Sequence, residues 1–563
     1  MAFHPPHNTQ RAPSRRDLVI TVRMTDMATR FQAAIALVEA ERFAEADAIR
    51  ADLQAAAPGD AAVRFLRGLI AFHLKDPVRA VALIGKAIAL DPENPSFHAT
   101  FGAILIETGA RADAISALER ALALDPDDLA SSQHLARQLG LAGRGLDASV
   151  GWRRVAAMAQ SDIGDLLALG DALEAVQDLN AALAAYRRAA ARNPGSVAVQ
   201  NHLGACQQKL GHLGDSILAF RTSFGLQAHD NPAVLGLFAA KQMACDWDEF
   251  ATWRARADEL TQTSIMAGRA SAEDPFTHVA RCDDQAQNLA VARQWNAALS
   301  ARVAGWNIAF DPHRRRDCGP LRIGYLLSDF HDHATAHLMA GLFKAHDRRR
   351  VRVHAYSCGP DDGSAFRRAI QDGCDRFTDI AGLDAADGAR RIHADRIDVL
   401  VDLKGHTRHN RLEIAALRPA PVQVSWLGFP GTSGADFFDY IVSDDIVTLP
   451  SSARFYSEAF AVMPHSYQIN NFQQEIDSTP LLRTKLDLPE GAVVLASFNN
   501  TYKYEPFMFA VWMEILQAVP GAVLWLQANN ALAVKNLRNY AAAAGIDSAR
   551  LVFAGFLPKS AHL

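Results

Sequence analysis

A beat of 34 residues runs through the first half of the chain and limits what that half can fold into. Pro58, Pro92 and Pro126 keep this spacing, and Pro194 stands two periods beyond Pro126. Gly68 and Gly102 repeat it, as do Gly170 and Gly204. Ala46, Ala80, Ala114, Ala148 and Ala182 follow the same beat, with Ser216 next in line. A period of this length fits a pair of antiparallel helices whose apolar faces are buried only when neighbouring pairs stack.

One unit shows how the residues achieve this. Val63, Leu66, Ile70 and Leu74 lie at helical spacing, followed by Ala80, Leu83, Ile84, Ala87 and Leu90. Gly68 and Ala80 are small enough to bring the two helices close. Asp91-Pro92 ends the second helix, because proline cannot continue its hydrogen-bond ladder. The next unit repeats the pattern with Phe101, Gly102, Ile106, Ala114, Leu118, Ala121 and Leu124. The unit over residues 129–162 is worn, with Ala136 in place of glycine and Gln160 in place of proline. With an earlier unit from residue 27 and two later ones, the expectation is a tetratricopeptide-repeat superhelix of about six repeats over residues 27–240. Such an array presents a surface suited to a protein or peptide, so a repeat-based binding module is one reading of the chain.

A chain of 563 residues exceeds what one hydrophobic core organises. A formal net charge of -5 gives no argument for nucleic acid or an anionic membrane as partner. Cys206, Cys245, Cys282, Cys318, Cys358 and Cys374 are dispersed without a CxxC pair. That fits a reducing compartment better than a disulfide framework or a zinc site, and a cytoplasmic location is expected. No apolar run is long enough for a membrane span. Residues 1–26 read as a disordered leader, and residues 241–318 as a helical capping and linking region. In that region Asp283 and Asp284 suit the start of a helix through Leu289, Ala292 and Trp295. The boundary to the next region is set after the charged stretch ending at Asp317, at Gly319-Pro320.

From residue 321 strands alternate with helices, which predicts parallel sheets covered on both faces. Strands are expected at 321–327, 351–356, near Phe377, and at 397–401, 421–426 and 438–442. A second unit has strands at 493–498, 522–526 and 551–553, with helices at 506–518 and 531–544. Ligands in such folds bind at the carboxyl ends of strands. The first of these ends carries Asp329, His331, His333 and His337. It fits an active-site loop, a zinc site or a helix cap; the zinc reading lacks both HExxH and an obvious third ligand. Another end carries Lys404-Gly405-His406, and residues 428–434 form a Gly/Ser/Thr-rich loop whose N–H groups can approach an anion. Asp444-Asp445 fits a cap or a carboxylate pair. Lys503 follows the first strand of the second unit, where it can neutralise a phosphate.

At these strand ends the chain resembles the O-linked N-acetylglucosamine transferase family, including its bacterial and SPINDLY-like members. The resemblance rests on residues 321–339 (LRIGYLLSDFHDHATAHLM), 356–363 (YSCGPDDG), 398–407, 417–434 (LRPAPVQVSWLGFPGTSG), Met463-Pro464-His465 and 497–503. It implies an α plus α/β fold: a tetratricopeptide-repeat superhelix followed by a GT-B-type pair of Rossmann-like domains, at residues 319–475 and 476–563. The implied reaction is transfer of N-acetylglucosamine from UDP-N-acetylglucosamine to Ser or Thr of a protein, with inversion and without a metal or other cofactor. GDP-fucose or another nucleotide sugar is the alternative donor. By motif, His333 matches the active-site histidine and Lys503 the lysine on the donor diphosphate. Asn500 stands near the nucleotide, where many relatives have glutamine. Gly431, Thr432 and Gly434 border the donor and acceptor site, and Lys559 and His562 match residues holding the uridine. His406 stands in a loop facing the cleft, where some relatives carry tyrosine; His337, Pro464 and His465 are further possible cleft residues. Family members continue well past Leu563, through a His-Thr-Thr helix start that cradles the donor phosphates. The expectation is therefore a second domain short of strands, with a catalytically inactive, repeat-based binding protein as the alternative.

Overall fold

The computed structural model describes residues 27–563 except 58, 143, 159, 229–230, 312–318, 472–473, 475, 479–481, 528–529, 556, 558 and 563. The expected leader, Cys318 and most of the charged stretch before Gly319 lie outside the described residues. The chain divides into two compact units that part between Val176 and Gln177.

Among the described residues the first unit holds nine helices, from Met27–Glu39 to Ile163–Ala175. The 34-residue beat extends to the residues that start them. Asp60, Asp128 and Asp162 each cap a helix by accepting backbone N–H groups, and Asn94 occupies the same place in its unit. Packing explains the glycines. A Cβ on Gly68 would lie 2.5 Å from Cγ1 of Ile84, and one on Gly102 would lie 2.7 Å from Cγ of Leu118. In the worn unit the small residue has changed helix: a Cβ on Gly151 would lie 2.9 Å from that of Ala136. Two apolar assignments need correction. Leu74 is 61% exposed and Leu90 52%, because each sits at the last turn of its helix, past the buried stripe.

The second unit opens with the helices Leu179–Arg192, Val197–Lys209, Leu213–Leu226, Asn231–Met243 and Phe250–Met266. Ser196 caps the second of these, continuing the beat. Pro275–Val279 and Gln285–Ala304 follow, the latter capped by Asp284, which accepts from Ala286 and Gln287.

Seven parallel strands come next: β1 (Leu321–Leu327), β2 (Val351–Ser357), β3 (Arg376–Asp379), β4 (Val399–Asp402), β5 (Val422–Ser425), β6 (Tyr440–Asp444) and β7 (Ala459–Met463). Their order is β3-β2-β1-β4-β5-β6-β7. The edge strand β7 was not anticipated from the sequence. A three-stranded parallel sheet follows, ordered β10-β9-β8, with β8 (Val493–Ser497), β9 (Ala522–Gln527) and β10 (Leu551–Ala554). Helices Pro506–Ala518 and Ala531–Ala543 supply Phe509, Met513, Leu516 and Leu537 to its core. The fold class is thus a tetratricopeptide-type helical array followed by GT-B-like parallel α/β structure. Among the described residues no helix is long and apolar enough to cross a membrane.

Candidate active site

The seven-stranded order places a topological switch between β1 and β4. From β1 the chain moves outward to β2 and β3; from β4 it moves the other way to β5, β6 and β7. Loops leaving the carboxyl ends of such neighbours diverge and leave a crevice. Asp329 follows β1 and Lys404 follows β4, and Nζ of Lys404 donates to Oδ2 of Asp329 at 2.7 Å. Both side chains are buried. Ser328 Oγ donates to the other oxygen of Asp329 at 3.0 Å. Asp402, the last residue of β4, is fully buried. Its Oδ2 accepts the Gly405 N–H at 2.6 Å, while Oδ1 has no partner among the described residues. Burial pushes this carboxyl up to about 6, against the pull of the Gly405 and Lys404 N–H groups and the Lys404 charge.

His333 starts the helix Ala334–Met339. Its Nδ1 lies 3.2 Å from the Thr335 N–H and 3.3 Å from Oδ2 of Asp329. One nitrogen cannot serve both: it accepts from Thr335 when bare and donates to Asp329 when protonated. Burial, followed by the charges of Lys404, His331 and His337, holds the His333 pKa below the ordinary imidazole value, although Asp329 pulls it upward. In the neutral tautomer that donates to Asp329, Nε2 is free to take a proton from a hydroxyl.

His406 is held as part of the wall. Its Nε2 donates to the Ser433 carbonyl at 2.8 Å, and its ring meets Phe429 edge-on at 5.1 Å. Asn296 Nδ2 bonds the same carbonyl. The Thr432-Ser433 turn is fixed from behind by the buried carboxylate of Glu458, which accepts from Thr432 Oγ1 and Ser433 N, both at 2.7 Å, and from Ser433 Oγ. Gly434 has φ +70°, and a Cβ there would lie 2.5 Å from backbone atoms of Ala292 and Arg293. The Thr432 hydroxyl is therefore committed to the protein. Asp444 caps its own turn, accepting from Ile446 and Val447, and also accepts from Tyr467 N.

A cleft of about 1110 Å³ is lined by Asp329, His333, Lys404, His406, Gly428 and Tyr502. Its apolar wall comes from Phe276, Trp295 and Leu299, and Gln208, Gln242 and Met243 reach it from the helices at the start of the second unit. Lys503 is exposed on the turn Thr501–Lys503, its Nζ 6.0 Å from the Tyr502 ring centroid. Asn500 accepts the Lys503 N–H at 3.0 Å. Lys559 and His562 lie on the short helix Lys559–His562, with the His562 ring 5.7 Å from Phe498 just after β8. These four residues thus belong to the carboxyl-end loops of the second sheet and the segment packed against them. The lining of this cleft includes none of His337, Pro464, His465, Asn500, Lys503, Lys559 or His562. Nε2 of His337 is tied to Asp332 at 2.6 Å and its ring packs on Phe366; Pro464 and His465 are exposed beyond the edge strand β7. Sequence reasoning missed the Asp329–Lys404 pair, Asn296 and Glu458. Only the first left a signal, an acid and a base each just after a strand.

Residues 244–479 and 474–563 match the model of glycosyl transferase family 41, and residues 71–139 match a tetratricopeptide-repeat model. The Arabidopsis thaliana probable UDP-N-acetylglucosamine–peptide N-acetylglucosaminyltransferase SEC is 33% identical over 57% of this chain and 34% of its own length. The Caenorhabditis elegans UDP-N-acetylglucosamine–peptide N-acetylglucosaminyltransferase is 25% identical over 57% of this chain and 38% of its own. The chain thus spans little more than a third of these relatives. A solved mutant O-GlcNAc transferase from Thermobaculum terrenum is 22% identical, covering 83% of this chain and 75% of that one at a TM-score of 0.49.

Proposed function

Because the chain belongs to glycosyl transferase family 41, whose model matches it from residue 244 onward, we propose that it transfers N-acetylglucosamine from UDP-N-acetylglucosamine to a Ser or Thr hydroxyl of a protein. The observation that carries this reading is His333 beside Asp329 and Lys404 at a switch-point cleft, with the helices that begin the second unit forming part of its wall. The acceptor oxygen attacks the anomeric carbon as its bond to the diphosphate breaks, which inverts that carbon. The hydroxyl proton passes to Nε2 of His333, and UDP leaves with the bonding electron pair. Lys503 stabilises the charge gathering on the diphosphate, a preorganised role worth about 10²–10³ in rate for one donor. Asn500, Lys559 and His562 hold the nucleotide, and the loop at Gly431, Thr432 and Gly434 fixes the wall beside the sugar. The catalytic domains are assigned to residues 319–475 and 476–563, after the repeats at 27–240 and the linking region at 241–318. The repeats deliver the acceptor polypeptide, and the reaction belongs in the cytoplasm.

Calorimetric titration with UDP, run beside GDP, tests the donor. Binding of UDP at micromolar to sub-millimolar levels is expected, and tighter binding of GDP would move the donor to a guanosine sugar. Failure of both to bind at millimolar levels would overturn the enzyme reading in favour of a repeat-based binding protein. Label transfer by Lys503→Ala should fall by about 10²-fold or more; unchanged transfer would refute the role of Lys503.

A further inference from the structure

An α-helix leaves its last carbonyls without partners inside the helix. At the end of Asn231–Met243 these partners come from the second sheet's carboxyl-end loops and from the helix Ala531–Ala543. The Met243 carbonyl accepts from Thr501 Oγ1 at 2.7 Å and from Asn530 Nδ2 at 3.2 Å, and the Ala244 carbonyl accepts from Asn536 Nδ2 at 2.9 Å. In return, Gln242 Nε2 donates to the Tyr502 carbonyl at 2.7 Å, and Cys245 Sγ lies 3.7 Å from the Thr501 carbonyl. A second anchor stands beside them: the Trp247 N–H donates to Tyr540 Oη at 2.9 Å, and the two rings stack with centroids 4.9 Å apart.

We propose that the carboxyl end of the helix Asn231–Met243 positions Lys503, and that Thr501 is the positioning residue through which it acts. This rests on the donor-phosphate role given to Lys503 above. Beyond the helix end, Asn530 Nδ2 reaches Thr501 Oγ1 at 3.5 Å, and just after the turn Tyr504 Oη donates to the Ser497 and Gln527 carbonyls at 3.0 and 3.2 Å. The turn's internal bonds are Lys503 N–H to the Asn500 carbonyl and Tyr504 N–H to the Thr501 carbonyl, each at 3.0 Å. The Lys503 side chain is exposed. Three of the bonds to the helix end fall on Thr501 and Tyr502, the two residues just before Lys503. Breaking them loosens the backbone that carries the Lys503 side chain. Because Gln242 and Met243 also line the cleft, an occupant pressing on that wall bears on the same turn.

The test uses the full chain with Thr501→Val, which removes the hydroxyl at nearly constant volume, and Thr501→Ser, which keeps it. Amide hydrogen exchange across residues 500–504 and calorimetric UDP titration are read together, with Lys503→Ala as reference. Thr501→Val should speed exchange there about five- to ten-fold and weaken UDP binding toward the Lys503→Ala value, while Thr501→Ser restores both. Unchanged exchange overturns the inference, as does faster exchange with wild-type UDP affinity. If the wild-type chain binds no UDP, the donor reading fails separately, and exchange alone judges the clamp: faster in Thr501→Val and rescued by serine supports it, unchanged overturns it. Should Thr501→Val not fold, Gln242→Met removes the donor to Tyr502 and is judged by the same exchange readout.

Discussion

Replacing Lys404 by methionine should expose how the switch-point crevice is held together. Lys404 and Asp329 are 2.7 Å apart with both side chains buried. At an effective dielectric of about 20, two unit charges at that distance attract by about 6 kcal/mol, which offsets the desolvation of both ions. Lys404→Met removes the attraction and leaves Asp329 buried, with Ser328 Oγ and the His333 ring as its remaining neighbours. Breaking one side of such a pair costs about 3–5 kcal/mol. For the unit from Gln177 to Leu563, an unfolding entropy of about 2 cal/mol/K per residue converts this into a Tm drop of roughly 4–6 °C. Adding Asp329→Asn removes the stranded charge and should return at least about half of the loss. The same variant reports on His333: the Lys404 charge depresses its pKa and the Asp329 charge raises it, so Lys404→Met moves its titration midpoint upward, read by NMR of the imidazole. A single variant within about 1 °C of wild type, or a double variant no better than the single, would refute the buried-pair reasoning.

Two further outcomes follow from the same crevice. Asp402 has a folded-state pKa raised to about 6, above the ordinary carboxylate value just below 4, so its contribution to stability appears as pH falls through 6 and is lost as pH rises. Wild type should therefore gain about 2 kcal/mol relative to Asp402→Asn between about pH 7.5 and about pH 4.5; a pH-independent difference in Tm would contradict the assignment. Gly434→Ala forces a Cβ to within 2.5 Å of the backbone at Ala292 and Arg293 at φ +70°, whereas the nearest atom to a Cβ on Gly431 is a Phe429 ring carbon at 3.3 Å. The first should cost about 2–5 kcal/mol and the second much less; equal losses of Tm would argue against docking of this loop on the helix Gln285–Ala304.

What could be read from the sequence was whatever repeats or alternates locally. The helix pairs follow from the 34-residue beat, and β8, β9 and β10 from short apolar runs between amphipathic helices. β7 escaped because Ala459–Met463 is an edge strand with exposed Val462 and Met463, so its pattern carries no buried alternation. Leu74 and Leu90 misled because periodicity does not say where the buried stripe stops. In the site, the motifs around His333 and Lys503 fall just after β1 and β8. The pairing of Asp329 with Lys404 depends on β4 lying beside β1, a fact of strand order that no local window contains. Glu458 and Thr501 lay further out of reach: each acts through a partner distant in sequence, Glu458 on Thr432 and Ser433, Thr501 on Met243.

The exchanged glycine of the worn repeat carries an implication about the order of events. With glycine at 151, position 136 is free to hold alanine, as it does. With alanine at both, two methyl groups would meet at 2.9 Å. A lineage starting from glycine at 136 and a larger residue at 151 can therefore reach the present pair smoothly only by shrinking position 151 first. The helix pair thus sets the order of its own drift: position 151 shrinks before position 136 grows, and the opposite order passes through a collision.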